Sequence, residues 1–372
     1  MTRRHFHTII IGGGPAGMGA AISLLKDKAE VCVIDKAVFP RDKTCAGLVT
    51  AKTYRLIRAL FGDENTDGIF CCSANTIRLF DRSELLTESA LRQPVRLVNR
   101  RHFDNALVEE YKRNGGTMLE GEKDLKIDYE KNTVTLSDGE ALSYDYLLFA
   151  DGALSMAHKE LRVDRRGLAF GIEAYIPARQ LEVSSVDLYF GYLNSGYIWV
   201  FPHGETVCVG AADQFRRGAD YRKLLTGFLS ELGVDPQGVR YVGAFLPYGE
   251  LIPQNRLPEN VMLLGDAGGF TDPISGEGLY MSMQSGIYAA QALGTPSPKK
   301  AYLDSMEFIS RTVRDGKKVQ KAFYSFPIQK TFLKKVRGKN RLVAYFFEEM
   351  VDEYHYEYRS VKQLLADYKK SK

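Results

Sequence analysis

Residues 12–17 are Gly12-Gly13-Gly14-Pro15-Ala16-Gly17, and they lie directly behind an apolar run that ends at Ile11. Residues 6–11 have the composition of a buried strand. Residues 16–25, rich in alanine, leucine and methionine, have that of a helix. A second apolar run, residues 30–35, ends on Asp35. This order predicts two parallel strands joined by a helix in a right-handed crossover.

Each glycine of the turn has a physical reason. Gly12 permits a tight turn, Gly14 lets the backbone approach a pyrophosphate, and Gly17 allows close packing of helix on strand. The helix start points free N–H groups at phosphates, and Asp35 is placed to accept hydrogen bonds from ribose hydroxyls. The unit predicts dinucleotide binding, and the alternative is an ordinary glycine turn with a surface aspartate. The residues predicted to contact the cofactor here are Gly12, Gly14, Pro15, Ala16, Gly17, Asp35 and Lys36.

The composition is that of an ordinary soluble globular protein. The 372 residues are 45% hydrophobic and 26% charged, and a net charge of +4 gives little support to nucleic-acid binding. The five cysteines show no metal-ligand spacing, so we expect no metal site, no disulfide framework and a cytoplasmic location. Five glycines and a proline make residues 8–25 a poor membrane span, and no signal peptide is expected.

Four further segments match one superfamily in the same order along the chain. Residues 99–104 (Asn-Arg-Arg-His-Phe-Asp) resemble an R-x-x-F-D element, and residues 149–155 (Phe-Ala-Asp-Gly-Ala-Leu-Ser) resemble an A-D-G-x-x-S turn. Residues 265–278 (Gly-Asp-Ala-Gly-Gly-Phe-Thr-Asp-Pro-Ile-Ser-Gly-Glu-Gly) resemble the second FAD motif. Residues 196–204 (Gly-Tyr-Ile-Trp-Val-Phe-Pro-His-Gly) resemble G-Y-x-W-x-F-P-K-G. The chain therefore resembles the FAD-binding hydroxylases and geranylgeranyl reductases from residue 6 to about residue 295.

The resemblance implies that FAD is the cofactor. By this match Arg100 would reach the flavin or its phosphates, and Asp104 would cap the helix that begins there. Asp266 would hydrogen-bond the ribityl chain, and the loop after it would stabilise negative charge on the reduced ring. The further residues that the resemblance assigns to the cofactor are Asp151, Gly152, Gly265, Pro273, Gly276, Glu277, Gly278 and Leu279.

Residues 44–48 (Thr-Cys-Ala-Gly-Leu) distinguish the two branches, because they resemble the P-C-G-G-L loop of the reductases. Hydroxylases do not usually carry a cysteine there, and they usually carry a histidine where this chain has Gly269. Both features favour the reductases, most similar being the shorter bacterial, CbrA-like members. The match implies that Cys45, Ala46 and Gly47 contact the cofactor.

The chemistry of this family is reduction of carbon–carbon double bonds in isoprenoid chains by a hydride from flavin N5 and a proton. An unactivated alkene makes proton placement and exclusion of water important. The predicted catalytic residues are Cys45, Tyr197 and Glu277, with Tyr280 and His203 as further donor candidates. Tyr197, Trp199 and Phe201 are expected to line the substrate cavity, although a plain core strand would bury such aromatics too.

Two features of the sequence bear on the partners of the protein. A second G-x-G-x-x-G before a helix is missing, so the expected electron donor is NAD(P)H bound transiently or a ferredoxin-like protein. The resemblance implies that the substrate is a hydrophobic small molecule or lipid. Residues 330–341 are basic and partly apolar, and residues 343–358 carry many aromatics and acids. This pattern allows peripheral contact with the inner face of a membrane, and the alternative is a solvated helix face.

Two rival functions stay open at this level. One is an FAD monooxygenase of an aromatic or polyketide compound, and the other is a non-catalytic flavin-binding protein related to the envelope.

The predicted fold is α/β. Residues 103–114 and 279–293 are expected to be helices, and residues 125–136 and 146–150 strands. Closely spaced runs at 186–190, 197–201 and 206–211 indicate an antiparallel sheet. We therefore expect a discontinuous Rossmann-type FAD-binding domain (1–60, 97–160 and 255–298), an antiparallel-sheet substrate domain (61–96 and 161–254) and a helical C-terminal region (299–372).

Overall fold

The computed structural model describes residues 4–62, 66, 68–163, 167–351, 366 and 370. The strands are β1 (Arg4–Ile11), β2 (Val31–Asp35), β3 (Leu48–Val49), β4 (Cys72–Asp81), β5 (Glu84–Leu97), β6 (Thr117–Glu120), β7 (Lys126–Asp128), β8 (Thr133–Thr135), β9 (Ala141–Phe149), β10 (Leu168–Pro177), β11 (Val186–Phe190), β12 (Tyr197–His203), β13 (Thr206–Gln214), β14 (Tyr241–Pro247) and β15 (Val261–Leu263). The helices are α1 (Pro15–Lys26), α2 (Ala51–Phe61), α3 (Arg100–Arg113), α4 (Ala157–Glu160), α5 (Tyr221–Glu231), α6 (Leu279–Leu293), α7 (Pro298–Ser305), α8 (Glu307–Phe323), α9 (Phe326–Val336) and α10 (Asn340–Val351).

The first sheet carries the predicted crossover unit. Strands β6, β2, β1, β9 and β15 run parallel in that order, and β1 pairs with β2 from Thr8–Val31 to Ile11–Ile34. All five residues of β2 are buried, as a strand covered on both faces requires. The expected parallel unit is confirmed, and its carboxyl edge is where such sheets bind ligands.

The prediction of one strand over residues 125–136 is wrong. The chain instead folds there into the β7–β8 hairpin, which extends the sheet antiparallel beside β9. Asp128 accepts hydrogen bonds from the backbone N–H groups of Glu130 and Lys131 at 3.1 and 3.0 Å, and Asn132 has a φ of 50°. These turn contacts override the alternating pattern of the sequence.

Helices α1 and α6 cross in very close contact on one side of this sheet. A Cβ added to Gly286 would lie 2.2 Å from the Ala16 carbonyl oxygen, and one added to Gly19 would lie 2.8 Å from the Met283 oxygen. Since both helices begin at glycine-rich loops at the same sheet edge, this crossing places the two loops side by side.

The second sheet has eight strands in the order β14, β10, β13, β12, β11, β4, β5 and β3. Its pairs are antiparallel except β4 with β11. The strands expected over 186–211 are confirmed. The β4–β5 hairpin was not predicted, because its many polar and charged residues conceal a half-exposed strand pattern. Strand β3, although inside residues 1–60, belongs to this sheet.

The two faces of strand β12 have different neighbours. Ile198 and Val200 pack with Phe228 of α5 in one buried cluster. Trp199 and Phe201 lie in another cluster with Cys208, to which Ala46 and Leu48 contribute. The second face therefore meets the loop that carries Cys45.

The described part of the C-terminal region, up to residue 351, is helical, as expected. The apolar side of α9, formed by Leu333 and Val336, packs against Ile77 and Leu79 of β4. The basic segment of residues 330–341 thus has exposed charges, while its apolar side is buried against β4. The aromatic and acidic stretch was expected to reach residue 358, and its part beyond residue 351 lies outside the described residues. None of the described helices is both long and apolar enough to cross a membrane.

Candidate active site

The first glycine loop is shaped for close approach of a phosphate. Gly12 has a φ of +108°, and a Cβ there would lie 2.4 Å from the Ala150 carbonyl oxygen. Gly14 is the N-cap of α1 and supplies no side-chain acceptor, and the first turn contains no acid. The helix N–H groups are thus left for an anion. These observations fit the pyrophosphate of FAD.

Asp35 fastens this loop to the end of β2. Its Oδ2 accepts a hydrogen bond from the Gly13 N–H at 2.7 Å, and its Oδ1 accepts one from the Ala37 N–H at 2.8 Å. Each carboxylate oxygen has a second lone pair, so the residue keeps acceptor capacity for a ribose hydroxyl. Lys36 beside it is exposed.

The prediction that Asp104 caps a helix is wrong. Asn99 is the N-cap of α3, and its side chain accepts from the Arg101 N–H at 3.0 Å. Asp104 is fully buried and takes a bidentate contact from Arg100, at 2.7 and 2.8 Å, and an ion pair from Arg41 at 3.2 Å. Because α3 begins three residues earlier than expected, Asp104 is inside the helix, where its carboxylate orients two arginines.

Arg41 was not predicted. One of its guanidinium nitrogens lies 3.5 Å from the position of a Cβ on Gly14, so its positive charge stands beside the start of α1. The signal in the sequence was weak, because a single arginine in a loop between Pro40 and Asp42 is typical of any surface.

The Cys45 loop connects this arginine pair to the second sheet. The Cys45 N–H donates to Glu173 Oε1 at 3.0 Å, and the Gly47 N–H donates to the Cys45 sulfur at 3.4 Å. Burial by itself lowers the pKa of Arg100, but the Asp104 carboxylate and the Cys45 thiol beside it hold that pKa above its ordinary value. A thiolate at Cys45 would thus meet a fixed positive charge.

The second glycine motif forms a 3₁₀ turn, residues Gly265–Gly268, followed by a loop into α6. Asp266 Oδ1 accepts from the Thr271 hydroxyl at 2.9 Å. The loop carbonyls are held from two sides, since Tyr197 of β12 donates to the Ser275 oxygen and Gln320 of α8 donates to the Pro273 oxygen. The loop that should face the flavin is therefore braced by the second sheet and by the C-terminal region.

Glu277 lies at the end of this loop beside Lys52. Its Oε1 accepts from the Tyr280 N–H at 2.7 Å, and its Oε2 lies 3.9 Å from the Lys52 ammonium nitrogen. Burial raises the pKa of Glu277, and Lys52 lowers it in part. Within the described part of the chain Oε2 has no hydrogen-bond partner. This buried carboxyl is oriented by the helix start and faces a cation.

Lys52 was also missed, although its sequence position carried a signal. It is 3% exposed in the first turn of α2, in line with Leu56 and Leu60 at four-residue spacing. A buried lysine needs an acidic or polar partner to offset its loss of hydration, and Lys52 has Glu277.

The predicted cavity residues lie on one side of β12. Trp199 is 8% exposed, donates to the Cys208 sulfur at 3.4 Å, and rests on Gly210 of the neighbouring strand. Phe201 is buried in the same cluster. His203 is buried and contacts the Val98 carbonyl oxygen at 3.0 Å through Nε2. Burial lowers the pKa of His203, so its ring is neutral at neutral pH.

Asp151 and Gly152 follow β9, as the turn motif requires. Asp151 accepts from the Met156 N–H at 2.8 Å, and burial raises its pKa. Its second oxygen has no hydrogen-bond partner among the described residues, and Gly152 has a φ of +88°. The carboxyl end of β9 thus places a buried acceptor near the first glycine loop.

Most of the predicted residues come together where the two sheets meet. Arg41 lies beside Gly14 and pairs with Asp104, which also binds Arg100. Arg100 lies beside Cys45, and Tyr197 binds the loop before α6. Glu173 was missed there. Its signal was a single acid inside the apolar run of residues 168–177.

This fold and this arrangement of glycine loops define an FAD-dependent oxidoreductase. The pyridine nucleotide-disulphide oxidoreductase family matches residues 6–176. An uncharacterised protein of Methanosarcina barkeri is 31% identical over 321 residues, which are 85% of this chain and 81% of that protein. The geranylgeranyl diphosphate reductase of Rhodobacter capsulatus is 28% identical and covers 77% of this chain and 74% of its own. Menaquinone reductases of mycobacteria are also similar.

Solved structures confirm the fold. A geranylgeranyl bacteriochlorophyll reductase-like protein of Thermoplasma acidophilum superposes with a TM-score of 0.76 at 18% identity, over 98% of this chain and 96% of that one. A probable FAD-dependent monooxygenase of Pseudomonas aeruginosa shares the fold at a TM-score of 0.69, so the fold alone does not fix the reaction. The chain belongs with the Methanosarcina protein to a family of FAD-dependent oxidoreductases, and it is similar to geranylgeranyl and menaquinone reductases. FAD is its cofactor.

Proposed function

We propose that the protein reduces carbon–carbon double bonds in a hydrophobic, isoprenoid-containing substrate. The observation that carries this proposal is the position of the Cys45 loop. It lies between the buried Arg100 on one side and the apolar Trp199 and Phe201 on the other. An alkene held there would meet a thiol and a guanidinium beside apolar side chains. The relatives named for geranylgeranyl diphosphate and menaquinone support a substrate of this class.

FAD, once reduced, supplies the hydride for this reaction, and the chain must supply binding and a proton. The Trp199 and Phe201 side chains would bind the apolar substrate and exclude water. Cys45 is proposed to hold the proton at its sulfur, with Arg100 stabilising the thiolate that remains. Tyr197 and Glu277 are proposed to fix the loop before α6 through Ser275 and Tyr280.

The partners are proposed on the same basis. NAD(P)H bound transiently or a ferredoxin-like protein would reduce the flavin. The exposed charges of α9, Lys330, Lys334 and Lys335, would bring the protein to anionic lipid at about 1 kcal/mol per charge. Since the apolar side of α9 packs on β4, such contact would be electrostatic and sensitive to salt.

An anaerobic experiment tests the proposed reaction. The dithionite-reduced holoprotein is mixed with geranylgeranyl diphosphate, with menaquinone and with a lipid extract, and products are analysed by mass spectrometry. We expect a gain of two hydrogen atoms per double bond reduced, together with reoxidation of the flavin. The matched control is the Cys45→Ala holoprotein, in which the gain should fall while the flavin spectrum is retained.

Two results would contradict the proposal. Oxygen-dependent hydroxylation of an aromatic compound with NAD(P)H, without hydrogen gain, would establish a monooxygenase instead. Reduced flavin that no alkene reoxidises would favour a flavin-binding protein without this catalysis.

A further inference from the structure

Glu173 is a carboxyl group in an apolar strand. It stands in the middle of β10, where its residue pairs with Gly210 of β13 and Val242 of β14. Its side chain is 1% exposed, and burial of an acid without a directly bonded cation costs free energy. The hydrogen-bond donors on it are neutral groups, so an uncharged acid suits this position better than a carboxylate.

The Glu173 carboxyl contacts Cys45, Tyr175 and Cys208. Oε1 accepts from the Cys45 N–H at 3.0 Å and from the Tyr175 hydroxyl at 3.3 Å, and Oε2 is 3.8 Å from the Cys208 sulfur. The Tyr175 hydroxyl is also 3.5 Å from the Cys45 carbonyl oxygen. The carboxyl thus binds the backbone of the residue whose thiol is the proposed proton donor.

Tyr175 opens this cluster to solvent. Its side chain is 37% exposed, while its hydroxyl reaches the buried carboxyl. Tyr175 is thus the residue of the cluster that joins an exposed surface to the Glu173 carboxyl.

We propose that Glu173 is the proton reservoir that recharges Cys45, fed from solvent through the Tyr175 hydroxyl. This inference rests on the proposed alkene reduction. When the alkene takes a hydride at one carbon, the Cys45 S–H bond breaks and its proton forms a C–H bond at the other carbon. The thiolate, held beside Arg100, then takes the O–H proton of the Glu173 carboxylic acid. Solvent returns one proton to the carboxylate through Tyr175.

Burial supports the protonated starting state, because it raises the pKa of Glu173 to about 7. Hydrogen bonds from the Cys45 N–H and Tyr175, and the charges of Arg100 and Lys43, act in the opposite direction. The titratable and charged groups that face Glu173 are Lys43, Cys45, Arg100, Tyr175 and Cys208, with His203 against the Tyr175 ring.

If Glu173 only positions the Cys45 loop, Glu173→Gln should have no effect. The glutamine can accept hydrogen bonds from the Cys45 N–H and from Tyr175 equally well, but it has no carboxylic acid proton to give. Glu173→Asp keeps the carboxyl. The matched control is Glu205→Gln, an exposed acid in the β12–β13 turn of the same sheet.

The first measurement needs neither substrate nor flavin turnover. The alkylation rate of Cys45 by iodoacetamide is followed from pH 5 to 9, with the five cysteines resolved by peptide mass spectrometry. We expect an inflection near pH 7 in the parent, in Glu173→Asp and in Glu205→Gln, and its loss in Glu173→Gln. Infrared spectra should show a protonated-carboxyl band that disappears through the same pH range and is absent from Glu173→Gln.

The second measurement is anaerobic reduction of the alkene substrate over repeated turnovers, with dithionite in excess. In Glu173→Gln the turnovers after the first should be about 100-fold slower, within the range of general acid catalysis, because the first uses the proton already on Cys45. FAD affinity should stay unchanged, and Glu173→Asp should recover part of the rate. The proposal is overturned if the parent shows no inflection in Cys45 alkylation, or if Glu173→Gln keeps the parent rate over repeated turnovers. If no alkene reoxidises the flavin of the parent protein, the proposed function fails. The alkylation rates and infrared spectra would still show whether Glu173 is protonated.

Discussion

The two sheets hold the site by different means. The parallel sheet contributes backbone, since the turn with Gly12 and Gly14 leaves the first N–H groups of α1 without a side-chain acceptor. The eight-stranded sheet contributes side chains, such as Glu173 and Trp199, from an otherwise apolar face. A site made of backbone N–H groups should lose binding when a side chain is added. A site made of side chains should lose its function when a proton or charge is removed. Single substitutions can therefore distinguish the contributions of the two sheets.

The largest effect is expected at Gly12. Gly12→Ala would place a Cβ 2.4 Å from the Ala150 oxygen at a φ of +108°, so the glycine loop must shift. We expect FAD binding to weaken by about 4 kcal/mol, about 1,000-fold in Kd, measured by titrating apoprotein with FAD. The control is Gly62→Ala, also at positive φ but with no atom within 4 Å of the new Cβ. Equal loss in both variants would contradict a backbone site.

Glu173 should dominate the pH dependence of stability in the second sheet. The folded protein holds this proton up to about pH 7, whereas an unfolded glutamate loses it near pH 4.5. Stability therefore falls as the pH rises through this range, by about 3 kcal/mol. In Glu173→Gln we expect that part of the decline to vanish in urea unfolding at pH 5 and pH 8. An unchanged decline in this variant would show that another group causes it.

Lys52 and Glu277 join α2 to the loop before α6 by charge. Lys52→Met should cost about 2 kcal/mol of unfolding free energy at pH 8, less than a closely bonded buried pair because their separation is 3.9 Å. Glu277→Gln in the same chain should restore most of this loss, because it removes the uncompensated acid. A double variant as unstable as the single one would mean that Lys52 acts by packing alone.

The smallest effect is expected at Tyr197. Tyr197→Phe removes the hydrogen bond to the Ser275 carbonyl and should cost about 1 kcal/mol, measured by thermal unfolding of the holoprotein. Tyr144→Phe is the matched control, since the buried Tyr144 hydroxyl has no hydrogen-bond partner among the described residues. Its removal should be neutral or slightly stabilising, and a larger loss there than at Tyr197 would contradict this interpretation.

The same contrast explains what the sequence could predict. Glycines at fixed spacing have few other uses, so the loops at residues 12–17 and 265–278 were found, and the Rossmann-type fold with them. Asp104 was misassigned because a helix boundary moved by three residues, which turned an expected cap into a buried acceptor. Glu173 and Lys52 were missed because one polar residue in an apolar pattern identifies no partner until the chain is folded.

The β4–β5 hairpin was missed for a related reason. Its strands gain stability from pairing with β11 and from the apolar side of α9, and neither contact leaves a local pattern. Contacts between residues distant in sequence decided this part of the fold.

The brace from α8 to the loop before α6 has a consequence for anyone who shortens this chain. Gln320 holds the Pro273 carbonyl, and Lys317 of the same helix donates to the Tyr248 carbonyl beside it. A protein trimmed after residue 298 would keep both glycine loops yet lose this clamp. Insertions and deletions accepted by the C-terminal helices during evolution would have to spare this one turn of α8, because it fastens those helices to the loop before α6.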